Sequence, residues 1–219
     1  MNDTKAVIRK YCSSDRQRVR QICFNTAFFG QPCSNFFDGD DIFADALTGY
    51  FTDYESQSCF VAEKNGEVVG YLIGAKDVRQ MEKIFAKKIM LKLLVKAFSS
   101  GVLFKFKNIV FIGSCFGSML KGEFRQPLVA HEYPATLHIN MHPDFRNLGI
   151  GSQLIARYLA YLKDEGVTAV HFATMSDKAA QFFNKQGFVV LSRTQRSYFR
   201  YLLHRDFFVY IYGKKIKYS

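Results

Sequence analysis

The segment that most constrains the fold is 137–151, which reads LHINMHPDFRNLGIG. Apolar residues alternate at its start as in a half-buried strand, a His-Pro-Asp turn follows, and a helical apolar pattern begins after two glycines. The first amides of a helix lack internal partners and carry the positive end of its dipole, so this order of elements forms an anion site. The segment therefore predicts an α/β fold in which a phosphate group binds at a helix N-terminus.

Two glycines alone, Gly149 and Gly151, are better explained by a turn that leads into a helix and binds nothing. Two familiar phosphate-binding patterns are excluded, because no third glycine follows at the dinucleotide-binding spacing and no Gly-Lys-Ser/Thr closes the loop. What remains is Arg-x-x-Gly-x-Gly after a His-Pro turn. This pattern resembles the acyl-CoA pyrophosphate loop of the GNAT superfamily of N-acyltransferases.

A second segment, 176–188, reads SDKAAQFFNKQGF and is similar to a later motif of the same superfamily, Asn-x-x-Ala-x-x-Phe-Tyr-x-x-x-Gly-Phe. The matching positions are Ala179, Phe182, Gly187 and Phe188. The pattern predicts a short helix that Ser176 or Asp177 caps and that ends at Gly187. With both motifs in the family's order and spacing, the chain is identified as a member of the GNAT superfamily.

The rest of the sequence predicts a single GNAT-like acyltransferase domain over 1–219, with an insertion at 78–130. The resemblance implies a mixed, mostly antiparallel central sheet of about seven strands flanked by helices, a three-layer sandwich with a helical and apolar insertion between strands three and four. Asn65-Gly66 between two apolar runs predicts a hairpin. Strands are expected at 5–12, 58–63, 67–75, 137–141, 168–172, 188–193 and 207–212. Helices are expected at 15–28, 39–54 and 149–165, with Asp15 and Asp40 or Asp41 as N-caps.

The net charge of +11 is concentrated in two stretches, 76–107 and 193–217. A solvated basic face is the favoured interpretation, although CoA is itself a polyanion that such a surface attracts. No nucleic-acid module is recognisable, so no specific nucleic acid is expected as a partner. The apolar, lysine-bearing segment 81–98 is expected to pack within the domain, with pocket lining, a dimer contact and peripheral membrane contact as less favoured alternatives. The apolar run 108–120 is too short to span a bilayer.

The chain begins without an apolar signal core, and its five cysteines are far apart without a C-x-x-C pair. They are interpreted as reduced, mostly buried thiols of a soluble cytoplasmic protein, either a monomer or a homodimer. His138 and His142 are four residues apart but fall on a strand and its turn rather than on a helix. No metal site is therefore expected.

The family resemblance implies acyl transfer from acetyl-CoA to an amine acceptor by direct attack. Met141 matches the strand position that grips pantetheine and helps to polarise the thioester, and the amides of 146–152 are expected to hold the pyrophosphate. Ser176 stands where the family usually has Asn. The predicted acetyl-CoA-binding residues are Met141, His142, Arg146, Asn147, Leu148, Gly149, Ile150, Gly151, Ser152, Ser176, Phe182 and Phe183.

The main departure from the family is Phe183, where Tyr often acts as the acid that protonates the CoA thiolate. Three explanations stay open. Tyr198 or Tyr201, or less favourably Tyr158, replaces the acid; the thiolate leaves unassisted, because a thiol pKa of about 8.5 makes it a fair leaving group; or catalysis is weak or lost.

The candidate bases lie on strand four, where His138 and Asn140 share one face by their spacing of two. A neutral histidine has a suitable intrinsic pKa, but a structural histidine is an equal alternative. The stretch 133–140, YPATLHIN, also resembles the acetyltransferase-like domains attached to O-GlcNAcases, in which an acidic residue stands in place of Asn140. Glu132 acting through water is a further alternative.

Two functions follow from these residues. The first is an acetyl-CoA-dependent N-acetyltransferase that acts on a primary amine of a small molecule or peptide, with His138, Asn140 and Tyr198 as candidate catalytic residues. The second is a catalytically weak acyl-CoA-binding pseudo-acetyltransferase or interaction module.

Overall fold

The computed structural model describes residues 5–125, 129–176 and 179–217. Within them, seven strands form one sheet in the order β1-β2-β3-β4-β5-β7-β6, in which only the β4–β5 pair is parallel. The strands are β1 Val7–Lys10, β2 Phe60–Lys64, β3 Glu67–Ala75, β4 Ala135–Met141, β5 Ala169–Thr174, β6 Val189–Arg196 and β7 Phe207–Lys215. The predicted fold class and the seven strands predicted along the chain are therefore confirmed.

Eight α-helices flank the sheet within the same residues. They are α1 Arg16–Thr26, α2 Asp40–Tyr54, α3 Val78–Ile84, α4 Met90–Ser99, α5 Phe106–Leu120, α6 Ile150–Asp164, α7 Ala180–Lys185 and α8 Arg200–Leu203, with a π-helical turn Phe85–Ile89 between α3 and α4. The three helices predicted at 15–28, 39–54 and 149–165 are confirmed as α1, α2 and α6. The helices 78–120 form the predicted insertion between β3 and β4.

Period-two alternation along the strands divides the core between the two faces of the sheet. On one face, Leu72 and Leu137 pack against Leu154 and Tyr158 of α6. On the other face, Tyr71 packs with residues of α1 and α2. A third cluster joins the insertion to the region after β6 and is dominated by phenylalanines. The insertion thus lies on the α1–α2 side of the sheet, away from α6.

The hairpin between β2 and β3 is confirmed, because Asn65 and Gly66 both have positive φ values of 53° and 80° as a tight primed turn requires. Asp15 occupies the predicted N-cap position of α1 but makes no side-chain hydrogen bond to that helix, and the caps predicted for α2 are wrong. Asp15 precedes α1, but its carboxylate accepts hydrogen bonds from the guanidinium of Arg9 at 2.7 and 2.8 Å and from the amide of Cys12 at 2.9 Å. Gly39, without a side-chain acceptor, precedes α2, whose first turn contains both Asp40 and Asp41.

The prediction that 81–98 is buried within the domain is wrong in large part. Ile89 and Ala97 are buried and Leu93 packs beside them, but the opposite side of α4 is exposed. The reason is that the inward stripe of α4 is only one residue wide in each turn. The apolar residues outside that stripe are more than two fifths exposed.

All five cysteines are free thiols, of which Cys23, Cys33 and Cys59 are buried. Burial raises the pKa of Cys23 to about 11 and that of Cys59 to about 12, so these thiols stay protonated at neutral pH. The described residues contain no group of three or more His, Cys, Asp or Glu side chains that could hold a metal ion. Among them, no helix has the length and apolar character needed to cross a membrane.

Candidate active site

A cleft opens in the sheet between β4 and β5. The two strands pair only at their first residues, Ala135 with Val170 and Thr136 with His171. Beyond that point β4 continues to Met141 and β5 to Thr174 without pairing to each other. The sheet is therefore split from Leu137 onward, and the edge of β4 that faces β5 has no strand against it.

The backbone of β4 presents polar groups to this cleft. The amide of His142 donates to the carbonyl of Val69 at 2.8 Å, and the β3–β4 register runs without a shift from there to Ala75. Hydrogen-bonded and non-hydrogen-bonded pairs alternate along an antiparallel ladder, so Ile139 and Met141 direct their N–H and C=O groups away from β3. These groups line the open edge, and contact of Met141 with pantetheine there stays a prediction.

The N-terminus of α6 lies beyond the end of β4, after the short turn Pro143–Phe145. Gly149 precedes the helix with φ +74°, and no side chain of the described residues caps the first turn. The amides of Ile150, Gly151 and Ser152 are consequently free for an anion. The amide of Arg146 is not, because it donates to the carbonyl of Pro143 at 3.2 Å. Of the predicted binding amides 146–152, that of Arg146 therefore already has an acceptor.

The helix α7 packs beside this loop. The ring of Phe182 lies 3.2 Å from the position that a Cβ on Gly151 would take. A glycine at 151 therefore relieves crowding against this ring, in addition to presenting its amide. The side-chain Nε2 of Gln186, directly after α7, donates to the hydroxyl of Ser152 at 2.9 Å and fixes the end of α7 to α6. Among the described residues, no side chain caps the first turn of α7, and one of the two predicted caps, Asp177, lies outside them. Ser176, the other predicted cap, follows β5 and donates its amide to Thr174 Oγ1 at 3.2 Å.

Phe183 is buried in the core on the α6 side of the sheet. Its ring centroid lies 4.4 Å from that of Phe172 and 5.6 Å from that of Tyr212. A phenylalanine in this aromatic group contributes packing and has no proton to donate. Phe183 therefore stabilises the strand that forms the far wall of the cleft.

On the opposite face of the sheet, Tyr71, His138 and Asn140 form a hydrogen-bonded cluster. Asn140 Nδ2 donates to the hydroxyl of Tyr71 at 3.0 Å and lies 3.3 Å from His138 Nε2. His138 Nδ1 lies 3.4 Å from the same hydroxyl. An amide nitrogen can only donate, so Nε2 is the acceptor and the ring proton is on Nδ1. The predicted shared face of His138 and Asn140 is confirmed.

This cluster leaves His138 little capacity as a base. Burial lowers its pKa to about 4, so the ring is neutral at physiological pH and binds a proton only weakly. Both ring nitrogens are occupied, one by Tyr71 and one by Asn140. The amide oxygen of Asn140, by contrast, has no partner among the described residues, and it is the free acceptor of the group.

Tyr198 lies near the end of β5, where its hydroxyl donates to the sulfur of Met175 at 3.6 Å. Burial raises its pKa to about 12, which keeps the phenol protonated and makes it a weak acid. Tyr158 is on the α6 side and donates to the carbonyl of Thr136 at 2.8 Å. The hydroxyl of Tyr201 is buried without a partner among the described residues.

Arg196 at the end of β6 is a residue that the sequence analysis missed. It is fully buried, and neither Nη1 nor Nη2 has a hydrogen-bond partner among the described residues. The guanidinium carbon of Arg196 lies 5.3 Å from the ring centroid of Phe124, and burial lowers the pKa of Arg196. Only the β6–β7 register, which pairs Arg196 with the buried Phe207, shows that this arginine points inward.

Comparisons with known proteins agree with this geometry. A family model described as the acetyltransferase (GNAT) family matches residues 30–188. The crystal structure of SsHAT is 22% identical, with a TM-score of 0.74, and the match covers 98% of this chain and 100% of that chain. A structure of YncA from Salmonella typhimurium with its cofactor acetyl-CoA is 12% identical, with a TM-score of 0.56, and the match covers 99% of this chain and 96% of that chain.

The polyamine N-acetyltransferase of Drosophila melanogaster, which forms N-acetylagmatine, is 13% identical with a TM-score of 0.61, and the match covers 96% of this chain and 100% of that chain. No curated protein matches the chain. At these identities the solved structures show a shared fold, whereas the family model spans more than half of the sequence. The chain therefore belongs to the GNAT family of acetyltransferases.

Proposed function

We propose that this protein transfers the acetyl group of acetyl-CoA to a primary amine of a small molecule or peptide, within one domain that spans 1–219. The observation that carries the proposal is the split between β4 and β5. Its open edge presents the backbone of Ile139 and Met141, and its end meets the free amides of α6. A polar strand edge and a phosphate-binding helix terminus in sequence suit a pantetheine chain attached to a pyrophosphate.

In this proposal, the amides of 150–152 bind the pyrophosphate, and the dipole of α6 adds to their attraction for it. The backbone of Ile139 pairs with the amide groups of pantetheine. The N–H of Met141 donates to the thioester oxygen, on which negative charge develops as the amine attacks. Phe182 packs against Gly151 and holds the helix terminus in place.

The amine attacks the thioester carbon directly: a C–N bond forms, the C–S bond breaks, and the amine nitrogen loses one proton. The amide oxygen of Asn140 accepts a hydrogen bond from the amine and orients its lone pair. His138 holds the amide of Asn140 and acts as a positioning residue, because its pKa of about 4 makes it a poor base. The proton therefore leaves to water.

The sulfur leaves as a thiolate in this scheme, because Phe183 has no proton to give and a thiol pKa of about 8.5 makes the thiolate a fair leaving group. Tyr198 is the candidate acid by its place at the end of β5. Its pKa of about 12 lies above that of the thiol, so proton transfer from it to the thiolate is uphill. Unassisted departure is accordingly the favoured route.

The test is calorimetry with acetyl-CoA, combined with thiol release in the presence of a mixed pool of small amines and peptides. Binding with amine-dependent thiol release supports an N-acetyltransferase. Binding without release, over the whole pool, favours the second candidate, an acyl-CoA-binding module. Two residues support that candidate, because Phe183 has no proton to donate and Asn140 has no carboxylate to act as a base. Absence of binding contradicts both proposals.

A further inference from the structure

The insertion carries an apolar face that is exposed in the described part of the chain. The inward stripe begins at Ile89, the last residue of the π-helical turn, and continues on α4 with Leu93 and Ala97. On the other side of the helix, Leu91, Leu94, Val95 and Phe98 are each more than half exposed. These residues are spaced by three and four, so they form one continuous outward stripe.

The helix α5 repeats this arrangement. Its inward side includes the buried Asn108 and Ser118 and the packed ring of Phe111. Its outward stripe is Ile109, Ile112, Phe116, Met119 and Leu120, exposed by 43 to 73%. The helix contains no charged residue after Lys107, so nothing polar interrupts the stripe apart from small residues.

The two stripes belong to one surface. Leu93 and Ala97 of α4 and Phe111 of α5 pack into the same cluster, so the outward sides of both helices face away from the same core. The turn between the helices adds Phe104, whose ring centroid lies 5.8 Å from that of Phe98. The first residue of α5, Phe106, is 82% exposed. We call these outward residues of α4, α5 and their connecting turn the insertion face. An apolar surface of this extent marks an interaction site.

Charge identifies the partner. Residues 83–122 contain eight lysines and no aspartate or glutamate. Lys96 and Lys107 pair with Asp45 and Asp38 of α2 and the loop before it. Among the described residues, Lys83, Lys87, Lys92 and Lys105 are exposed and have no carboxylate partner. A lysine can bury its stem beside apolar residues and keep its ammonium at a headgroup.

We propose that the insertion face docks the protein peripherally on an anionic lipid bilayer. The apolar stripes enter the boundary between headgroups and acyl chains, and the unpaired lysines bind the anionic headgroups. A second copy of the chain fits less well. A two-fold contact would bring the lysines of both insertion faces together, with no carboxylate on the face to pair with them.

Fluorescence tests this docking directly, because the chain contains no tryptophan. Phe98→Trp places a single reporter in the insertion face, and Val189→Trp places a matched reporter at an exposed position on β6. We expect the emission of Phe98→Trp to shift to the blue with vesicles of phosphatidylcholine and one quarter phosphatidylserine at physiological salt. Pure phosphatidylcholine should give a much smaller shift, and Val189→Trp should show none with either vesicle.

Vesicle sedimentation of the unmodified chain and two lysine variants gives a second readout. Replacing Lys87, Lys92 and Lys105 by Gln should lower the partition coefficient about 100-fold, at roughly a tenfold or smaller loss per lysine. The matched control replaces the exposed Lys10, Lys185 and Lys215 by Gln and should change it little.

The proposal is overturned if the unmodified chain does not pellet with anionic vesicles and Phe98→Trp shows no shift. It is also overturned if the protein is a dimer that Leu94→Gln with Phe98→Gln dissociates while lipid has no effect. In that case a second copy covers the insertion face. Because vesicle binding needs no acetyl-CoA or amine, this test is independent of the catalytic proposal.

Discussion

At the scale of single residues, His138 shows how burial changes what a side chain can do. Its spacing from Asn140 is readable in the sequence, but its pKa is not. The ring lies against Tyr71 on the α1–α2 face of the sheet, where burial disfavours its charged form. A residue selected as a base for its ordinary pKa is therefore better described as a neutral hydrogen-bonding partner.

This lowered pKa predicts a specific acid sensitivity. Between pH 6.5 and 4 the unfolded chain binds a proton at this histidine and the folded chain does not, so the stabilisation present above pH 6.5 is lost as the pH falls. Wild type should lose about 1–2 kcal/mol more of its free energy of unfolding than His138→Gln between pH 7 and pH 5. Urea denaturation at the two pH values measures this.

The control for this experiment is His131→Gln at an exposed position, which should follow the wild type at both pH values. Equal losses in wild type and His138→Gln would show that His138 is not the titrating group. His171, whose pKa burial also lowers, is present in all three proteins and cancels in the comparison.

Arg196 predicts the opposite kind of result, a substitution that stabilises. Glu123 is the carboxylate that acts on it, but Glu123 already accepts hydrogen bonds from the amide and hydroxyl of Ser197. A buried guanidinium without a hydrogen bond is costly, so Arg196→Met should raise the free energy of unfolding by about 1–3 kcal/mol.

Thermal and urea unfolding measure the effect of Arg196→Met. The matched control is Arg193→Met, because Arg193 is exposed and lies 3.5 Å from the ring centroid of Phe208. The free energy of unfolding of that control should fall by up to about 1 kcal/mol. Destabilisation of Arg196→Met beyond that of the control would mean that the guanidinium gains more from its surroundings than burial costs it.

At the scale of elements, the open edge of β4 can be tested through one backbone group. Met141→Pro removes an N–H that faces the cleft and takes no part in the β3 ladder, a position where proline is tolerated. We expect it to lower kcat at least 100-fold, as the loss of an oxyanion-stabilising donor does. Met141→Leu keeps the N–H and should retain most of the activity.

Steady-state thiol release measures this pair, and melting curves check that both variants fold. If Met141→Pro folds and turns over like Met141→Leu, the amide of Met141 does not contact the reacting group. Both variants lose the methionine side chain, but only Met141→Pro loses the backbone N–H. The difference in kcat between them therefore measures the contribution of that N–H.

The elements also show what the sequence could predict. The Asn65-Gly66 hairpin and the strands on both sides were predictable, because the turn needs those residue types and the flanking runs are apolar. The α6 N-terminus was predictable from Gly149 and the helical pattern behind it. Local chemistry determines these features, and local chemistry is visible in sequence.

Features that depend on neighbours distant in sequence were not predictable. The carboxylate of Asp15 pairs with Arg9 of β1 instead of with the helix amides. This pairing depends on the position of Arg9 in the folded chain, which the sequence does not show. Exposure of the outward stripe of α4 depends on whether another element covers it, which periodicity cannot tell. The same limit applies to Arg196, which points inward because it pairs with Phe207 of β7.

At the scale of the whole molecule, ligand binding and folding are linked. Binding of acetyl-CoA by the folded state alone stabilises it by about 2.7 kcal/mol when the ligand is present at 100 times its Kd. For a chain of this length the melting temperature should rise by about 5–10 °C. Differential scanning fluorimetry with an extrinsic dye, or calorimetry, measures the shift.

Pantetheine, which lacks the pyrophosphate, is the control ligand and should give a much smaller shift at the same concentration. Equal shifts for both ligands would mean that the α6 N-terminus does not bind the pyrophosphate. The measurement needs no amine acceptor, so it separates recognition of the donor from turnover.

The close contact between the sheet and α6 has an evolutionary consequence. The ring and hydroxyl of Tyr158 fill the space that a Cβ on Gly74 would need, and that hydroxyl holds the carbonyls of Thr136 and Ala75. A larger residue at 74 cannot be accepted while Tyr158 remains. Mutational routes through these positions are therefore ordered, with residue 158 shrinking before residue 74 grows, and the two positions should covary among descendants of this chain.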